Sequence, residues 1–278
     1  MYTGTYKLGI NLMGGSGLSM DEHVALLRRI GWDGFFTGWD PDKTPQFAAA
    51  AEKYGMIYQS IHAPFTQVRY LWDEGKLGEQ VTAELITCVR DCATHGIPVM
   101  VIHPFIGFGE HTPTEAGLCN FGKIISAADS LGVRLGFENV EGEEYLAAIF
   151  EKYAGHPSLG FCLDTGHELC YNRGKDMLAQ YGHALCHTHF NDNIGVTGED
   201  IFWTDDLHLV MGDGIADWKG IMSRIRATDY DGPLMCELTF GNKPGKNTHD
   251  GYAAMGHERF YAFALERARA IAALGVEA

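Results

Sequence analysis

The chain has 278 residues, 46% of them hydrophobic and 21% charged, and a formal net charge of -15 at pH 7. That balance suits a globular protein with a large core, and no apolar stretch reaches the roughly 18 residues of a membrane-spanning helix. The surplus of carboxylates opposes broad binding to the phosphate backbone of nucleic acid. The opening residues, MYTGTYKLGI, have neither a basic nor an apolar leader segment, so the expected location is the cytoplasm. Although a prior of about 150 residues per domain allows two domains, barrels often reach this length as one, and one domain over residues 1–278 is expected. The seven cysteines form no C-x-x-C pair, and Cys162, Cys186 and Cys236 sit in apolar runs, so they read as reduced core residues.

Glycines punctuate the chain. R-R-I-G-W-D-G-F-F, E-K-Y-G-M-I-Y, T-H-G-I-P-V-M-V-I-H and S-L-G-V-R-L-G-F-E-N each end a helical stretch in glycine and continue as an apolar run. Such runs read as buried parallel strands. In chain order the pattern predicts strand 7–12, helix 19–30, strand 34–37, helix 44–54, strand 56–62, helix 78–95, strand 98–103 and helix 114–131. It continues with strand 133–138, helix 143–153, strand 159–164, helix 175–181, strand 184–190, helix 215–227, strand 233–238 and helix 255–274. Eight alternations match a single (β/α)8 TIM barrel, with a doubly wound open sheet as the alternative because the second strand is short. The long connection 191–214 holds Trp203, Asp205, Asp206 and His208, and loops of that length are more often functional than idle. The glycine-rich loop after the last strand carries Lys243 and Lys246, which suits either phosphate binding or simple solvation.

Six consecutive strands finish in a residue that can bind metal: His62, His103, Glu138, Asp164, His189 and Glu237. Barrel active sites lie at the C-terminal face, where these side chains would converge. Four such groups in one mouth, Glu138, Asp164, His189 and Glu237, repel one another and shift each other's titration unless a cation binds them. Oxygen and nitrogen donors without thiolate suit one divalent ion, Mn2+, Co2+, Mg2+ or Zn2+. The sequence G-F-C-L-D-T-G-H ends its strand at Asp164 and places His167 beside it. His187 points to the same face one layer deeper, for packing or support of the ligands, and Asp192 is an expected hydrogen-bond acceptor behind them. Trp39, Phe65, Trp72 and Trp203 lie in loops near the mouth and form either an apolar wall or ordinary loop packing. His23, His95, His111, His156, His183, His249 and His257 fall in helices or loops and are not expected to bind metal.

The motifs S-I-H-A-P-F, V-I-H-P, G-F-E-N, F-C-L-D-T-G-H, H-T-H-F-N-D, D-L-H-L-V-M-G-D-G and M-C-E-L together span nearly the whole chain. In them the sequence resembles the xylose-isomerase-like barrels, which include sugar phosphate isomerases and epimerases and the endonuclease IV type of repair nuclease. The resemblance implies one divalent ion on Glu138, Asp164, His189 and Glu237. It also implies that Glu138 and Glu237 move a proton on an open-chain ketose through an enediolate, with His167 and Glu144 touching substrate hydroxyls. The implied partner is a small sugar or sugar phosphate, and the implied assembly a homo-oligomer. N-V-E-G-E-E after Glu138 and Gly195 depart from the ketose 3-epimerase pattern, which leaves the sugar open. A dehydratase acting on a keto-inositol would begin with the same enolisation.

A second reading comes from the same resemblance. His62, His103, Glu138, Asp164, His167, His189, Asp206, His208 and Glu237 match in order the nine ligands of a three-zinc phosphodiesterase site of the endonuclease IV type. The charge of -15 opposes duplex DNA as its substrate, and no basic or wedge-bearing loop is evident. A barrel that binds a sugar without turning it over would lack one acid/base partner, whereas Glu138 and Glu237 are both present.

Overall fold

The computed structural model describes residues 6–109 and 112–276, so His111 lies outside them. Eight parallel strands form the barrel: β1 (Leu8–Asn11), β2 (Gly34–Gly38), β3 (Ile57–His62), β4 (Val99–Ile102), β5 (Arg134–Glu138), β6 (Leu159–Asp164), β7 (Leu185–His189) and β8 (Leu234–Cys236). The helices are α1 (Met20–Ile30), α2 (Thr44–Tyr54), α3 (Lys76–Thr94), α4 (Glu115–Leu131), α5 (Glu143–Lys152), α6 (Thr165–Leu169), α7 (Met177–Tyr181), α8 (Trp218–Arg226), α9 (Asp250–Ala253) and α10 (His257–Ala272). Short 3-10 turns lie at Val68–Trp72, Gly182–Ala184 and Trp203–Asp205.

Local chemistry sets the helix ends. The Ser19 hydroxyl accepts the Glu22 N–H and the Glu22 carboxylate accepts the Ser19 N–H, a capping box that starts α1. Gly55 and Gly132 stop α2 and α4 at φ 62 and φ 70, the left-handed region that a side chain resists.

Sheet order runs β7-β6-β5-β4-β3-β2-β1-β8, so β1 pairs with both β2 and β8, which sets the open-sheet alternative aside. Closure between β7 and β8 is sparse. The Phe190 N–H donates to the Met235 carbonyl at 2.7 Å, and the Glu237 N–H to the Phe190 carbonyl at 3.1 Å. The Thr188 hydroxyl accepts the Met235 N–H at 2.8 Å, a side chain standing in for a missing ladder bond. This sparse pairing makes β8 shorter than the expected 233–238 and leaves Glu237 one residue past it. His103 likewise falls one residue past β4. The expected helix over 175–181 is α7, and a further short helix, α6, starts directly at the end of β6. Residues 215 and 216 also leave their expected helix: the Ile215 N–H binds the Asn193 carbonyl and the Ala216 N–H binds the Asp192 carboxylate.

Strand side chains alternate between two cores. Met100 and Ile102 pack outward under the helices, while Val99, Val101 and Cys162 form a separate cluster. All seven cysteines are free thiols, and Cys119 on α4 is exposed where a core position had been expected for most. No helix of the described residues is long and apolar enough to cross a membrane.

One buried histidine belongs to the scaffold alone. His23 on α1 is 6% exposed, with Nε2 2.8 Å from the Tyr261 hydroxyl on α10. Burial, and then repulsion by His257, push its pKa down to about 4. An imidazole in the unfolded chain titrates near 6.5, so between about pH 6.5 and 4 the unfolded state binds more protons and stability falls as pH falls. Chemical denaturation across that window should show His23→Gln with a shallower decline than the native chain.

Candidate metal centre

The strand ends deliver their side chains to one place. The carboxylate of Glu138 meets His189 Nδ1 at 2.8 Å, His103 Nε2 at 3.1 Å, His62 Nε2 at 3.4 Å and His167 Nδ1 at 3.6 Å. Glu237 Oε2 lies 3.1 Å from the same His189 Nδ1, on which both carboxylates converge. Donor atoms of Glu138, Asp164, His189 and Glu237 all lie within 4.8 Å of one another. His62, His103 and Glu138 form a second such set, and Asp164, His167 and His208 a third. Asp206 joins the third through His208 Nε2 at 2.9 Å and His167 Nε2 at 3.3 Å.

Neighbouring side chains hold these groups. Beyond the end of β5, Asn139 accepts the Asp164 N–H at 2.7 Å and donates to the Asp164 carbonyl at 2.9 Å, extending the ladder with a side chain. Asp164 caps α6: Oδ1 accepts the His167 N–H at 2.7 Å, and Oδ2 accepts from Asn191 Nδ2 at 2.7 Å. Gly166 makes room for that amide, since a Cβ there would collide with Asn191 Oδ1. Next on α6, the buried Glu168 binds Arg224 of α8 through two contacts of 2.9 and 2.7 Å, fixing the helix that carries His167. His208 sits at φ 51, a strained backbone for a non-glycine residue.

A cation fits this arrangement. Glu138 and Asp164 are wholly buried, and His167 Nδ1 and His189 Nε2 are buried without a hydrogen-bond partner. Burial opposes the charge of Glu138, but the His189 charge and bonds from His103, His189 and His62 outweigh it and hold the carboxyl well below its usual range. Asp164 goes the other way, raised by burial to about 6 despite His167 and His208. Burial also opposes charge on His167 and His208, yet the nearby Asp164 and Asp206 lift His167 to about 10, and Asp206 lifts His208 to about 9. Cys162 makes a further donor set with Glu138 and His189, and burial pushes its thiol far up.

Above the cluster lies a cavity of about 420 Å³, walled by Phe65, Phe108, Tyr171 and Trp203 and reached by Glu141 and Lys243. Of the four expected wall aromatics, Phe65 and Trp203 are in place. Trp39 instead donates to Asp91 at 2.7 Å, and Trp72 to the Pro104 carbonyl at 2.8 Å. Glu144 faces an adjoining groove, and Glu141 reaches the cavity itself. His187 lies beneath the ligands, 3.1 Å from the Ser60 hydroxyl, and burial drives its pKa well below the usual value. Asp192 does not support the ligands: it accepts from Gly212 N–H, Ala216 N–H and Trp218 Nε1, stapling the long loop. Asn139, Asn191 and Glu141 escaped the sequence reading of the site, although Asn139 and Asn191 stand directly after Glu138 and two residues after His189.

The fold is a (β/α)8 barrel with its candidate metal centre at the C-terminal mouth. The chain belongs to the xylose isomerase-like TIM barrel family, which matches residues 24–256. An uncharacterized protein of Methanocaldococcus jannaschii is 24% identical over 196 residues, 64% of this chain and 63% of that protein. A probable endonuclease 4 of Chloroflexus aurantiacus is 25% identical over 186 residues, 62% of this chain and 63% of that protein. The match therefore spans 63% of the length of each of these two relatives. Among solved structures, a xylose isomerase domain protein from Planctomyces limnophilus has a TM-score of 0.72 at 16% identity, covering 96% of this chain and 98% of that one. The D-psicose 3-epimerase of Clostridium cellulolyticum H10 has a TM-score of 0.72 at 14% identity, covering 96% and 99%. At these identities the likeness is one of fold.

An imidazole must be neutral to bind metal, so a divalent ion has to displace the proton that Glu237 and Glu138 favour on His189 against its burial. Titration calorimetry with Mn2+ in buffers of different ionisation enthalpy should show proton release, and affinity should rise from about pH 6 to about pH 8. Affinity that falls or stays flat over that range would contradict imidazole ligation.

Proposed function

We propose that the chain is a divalent-metal-dependent isomerase or epimerase acting on a small sugar. The observation that carries this reading is the convergence of Glu138 and Glu237 on His189 Nδ1, beneath a cavity of about 420 Å³. Glu138, Asp164, His189 and Glu237 would hold the ion, which supplies positive charge where negative charge develops on the substrate oxygens. One glutamate takes the proton from carbon, and the other returns a proton to the resulting enediolate. His167 and Glu141 are placed to orient hydroxyls, and the aromatic wall excludes water. D-psicose 3-epimerase and L-ribulose 3-epimerase are among the proteins of similar fold, which supports a sugar as substrate. Lys243 pairs with Asp206 and Lys246 with Asp205, both at 3.5 Å, so an unphosphorylated sugar fits better than a phosphate ester. A keto-inositol dehydratase would share the first proton transfer and then lose water.

One observation favours a second reading. Eight of the nine residues matching the three-zinc pattern fall in three overlapping donor sets, Asp206 joins one of them through His167 and His208, and a probable endonuclease 4 is among the relatives. The net charge of -15 weighs against it, as does the small aromatic-walled cavity above the cluster.

With a ketose in deuterated water, the native chain should incorporate solvent deuterium at a substrate carbon. Glu237→Gln, supplied with excess Mn2+, should keep its fold while exchange drops by about 10²–10⁴-fold. Undiminished exchange in the metal-loaded variant would end the proton-transfer role. Cleavage of abasic-site DNA, with close to three zinc ions per chain, would put the nuclease reading first.

A further inference from the structure

A groove of about 780 Å³ adjoins the metal cavity and shares Phe108, Glu141 and Tyr171 with it, so the two form one trough. Small-molecule sites run roughly 300–1,000 Å³, and the metal cavity alone already takes a monosaccharide. The additional length lies beside the first turn of α5 and the segment that follows α6.

Its lining combines two kinds of surface. Phe108 and Phe202 are 45% and 55% exposed, open ring faces of the sort that stack on the C–H face of a pyranose. Glu144, Asp200 and Arg173 supply planar hydrogen-bonding groups suited to pairs of hydroxyls. Carboxylates outnumber cations here, since Glu141, Glu143, Glu144 and Asp200 face only Arg173 and Lys175, and Lys175 is bound to Glu143 at 2.6 Å. Such a surface repels an anion and accepts a neutral polyol.

A second feature marks the groove as part of the site. Among the described residues, the non-glycine positions with positive φ are Arg173 and His208, and they line the groove and the metal cavity respectively. Strain of this kind clusters where a side chain must be aimed. Arg173 is held there by its Nη2 donating to the Glu199 carbonyl at 2.9 Å.

We infer that the groove binds a second sugar unit, and that the substrate is a neutral reducing disaccharide or longer oligosaccharide. Its reducing-end unit reacts in the metal cavity while the next unit lies against Phe202 and Arg173. This rests on the isomerase reading for the unit in the metal cavity.

The experiment compares binding of cellobiose, maltose, lactose and lactulose with that of glucose, galactose and fructose, by calorimetry on the Mn2+-loaded protein. At least one disaccharide should bind about tenfold more tightly than either of its component sugars, and Phe202→Ala should remove that gain. Arg173→Ala should reduce it independently. Disaccharides that bind no more tightly than their units overturn the inference, as does a Phe202→Ala variant that keeps the gain. A gain seen with 4-nitrophenyl glucoside and with no disaccharide would make the groove an aryl site and overturn it too. Deuterium exchange into free fructose without any disaccharide preference would sink the groove and leave the isomerase reading standing. Disaccharide preference without exchange into any of these sugars would do the reverse.

Discussion

Glu138 is a carboxylate with no access to solvent, and four imidazoles, from His62, His103, His167 and His189, approach within 3.6 Å of it. In water such contacts contribute little, but inside the barrel a charge must be compensated or it destabilises the fold. Removing one partner of a buried charged pair typically costs about 3–5 kcal/mol, since the other is left uncompensated. The mouth is thus built around one negative charge and the positive charge that answers it. Protons on the imidazoles and a divalent cation are alternative ways to supply that positive charge, and the same residues serve both.

Holding so many like groups together takes a frame that does not move with them. Side-chain amides provide much of it: Asn139 continues the β5–β6 ladder past the point where the strands separate, and Asn191 reaches back to Asp164. The long loop between β7 and α8 has its own anchor in Asp192, which takes N–H groups from Gly212, Ala216 and Trp218. That anchor lets Asp206 and His208 enter the cluster from a segment with little regular structure. The strained backbone of His208 is carried by hydrogen bonds to its ring, Nδ1 near the Glu237 carbonyl at 3.1 Å and Nε2 near Asp206 at 3.0 Å.

Chemistry in such a mouth depends on what shares its walls. Phe65 and Trp203 line the cavity, and Tyr171 and Phe108 border both the cavity and the groove beyond. Trp203 also lies beneath Lys243, 5.4 Å from ring centroid to Nζ, and Lys243 in turn faces Asp206. The loops after β7 and β8 therefore meet over the metal centre.

The barrel and most of the cluster were legible in the sequence because both depend on period and position along the chain. Apolar runs bounded by glycine place the strands, and the period of two along a strand sorts its side chains by face, which is why His62, Glu138, Asp164 and His189 could be named in advance. Tertiary structure decided what depends on contacts between distant segments. It brought Glu141 to the cavity and gave Asp192 to the loop instead of the ligands. It also sent Trp39 and Trp72 to Asp91 and the Pro104 carbonyl and shortened β8 through a threonine hydroxyl. Loop side chains have no repeating geometry from which to extrapolate, so their direction is set only when the packed barrel offers or withholds a hydrogen-bond partner.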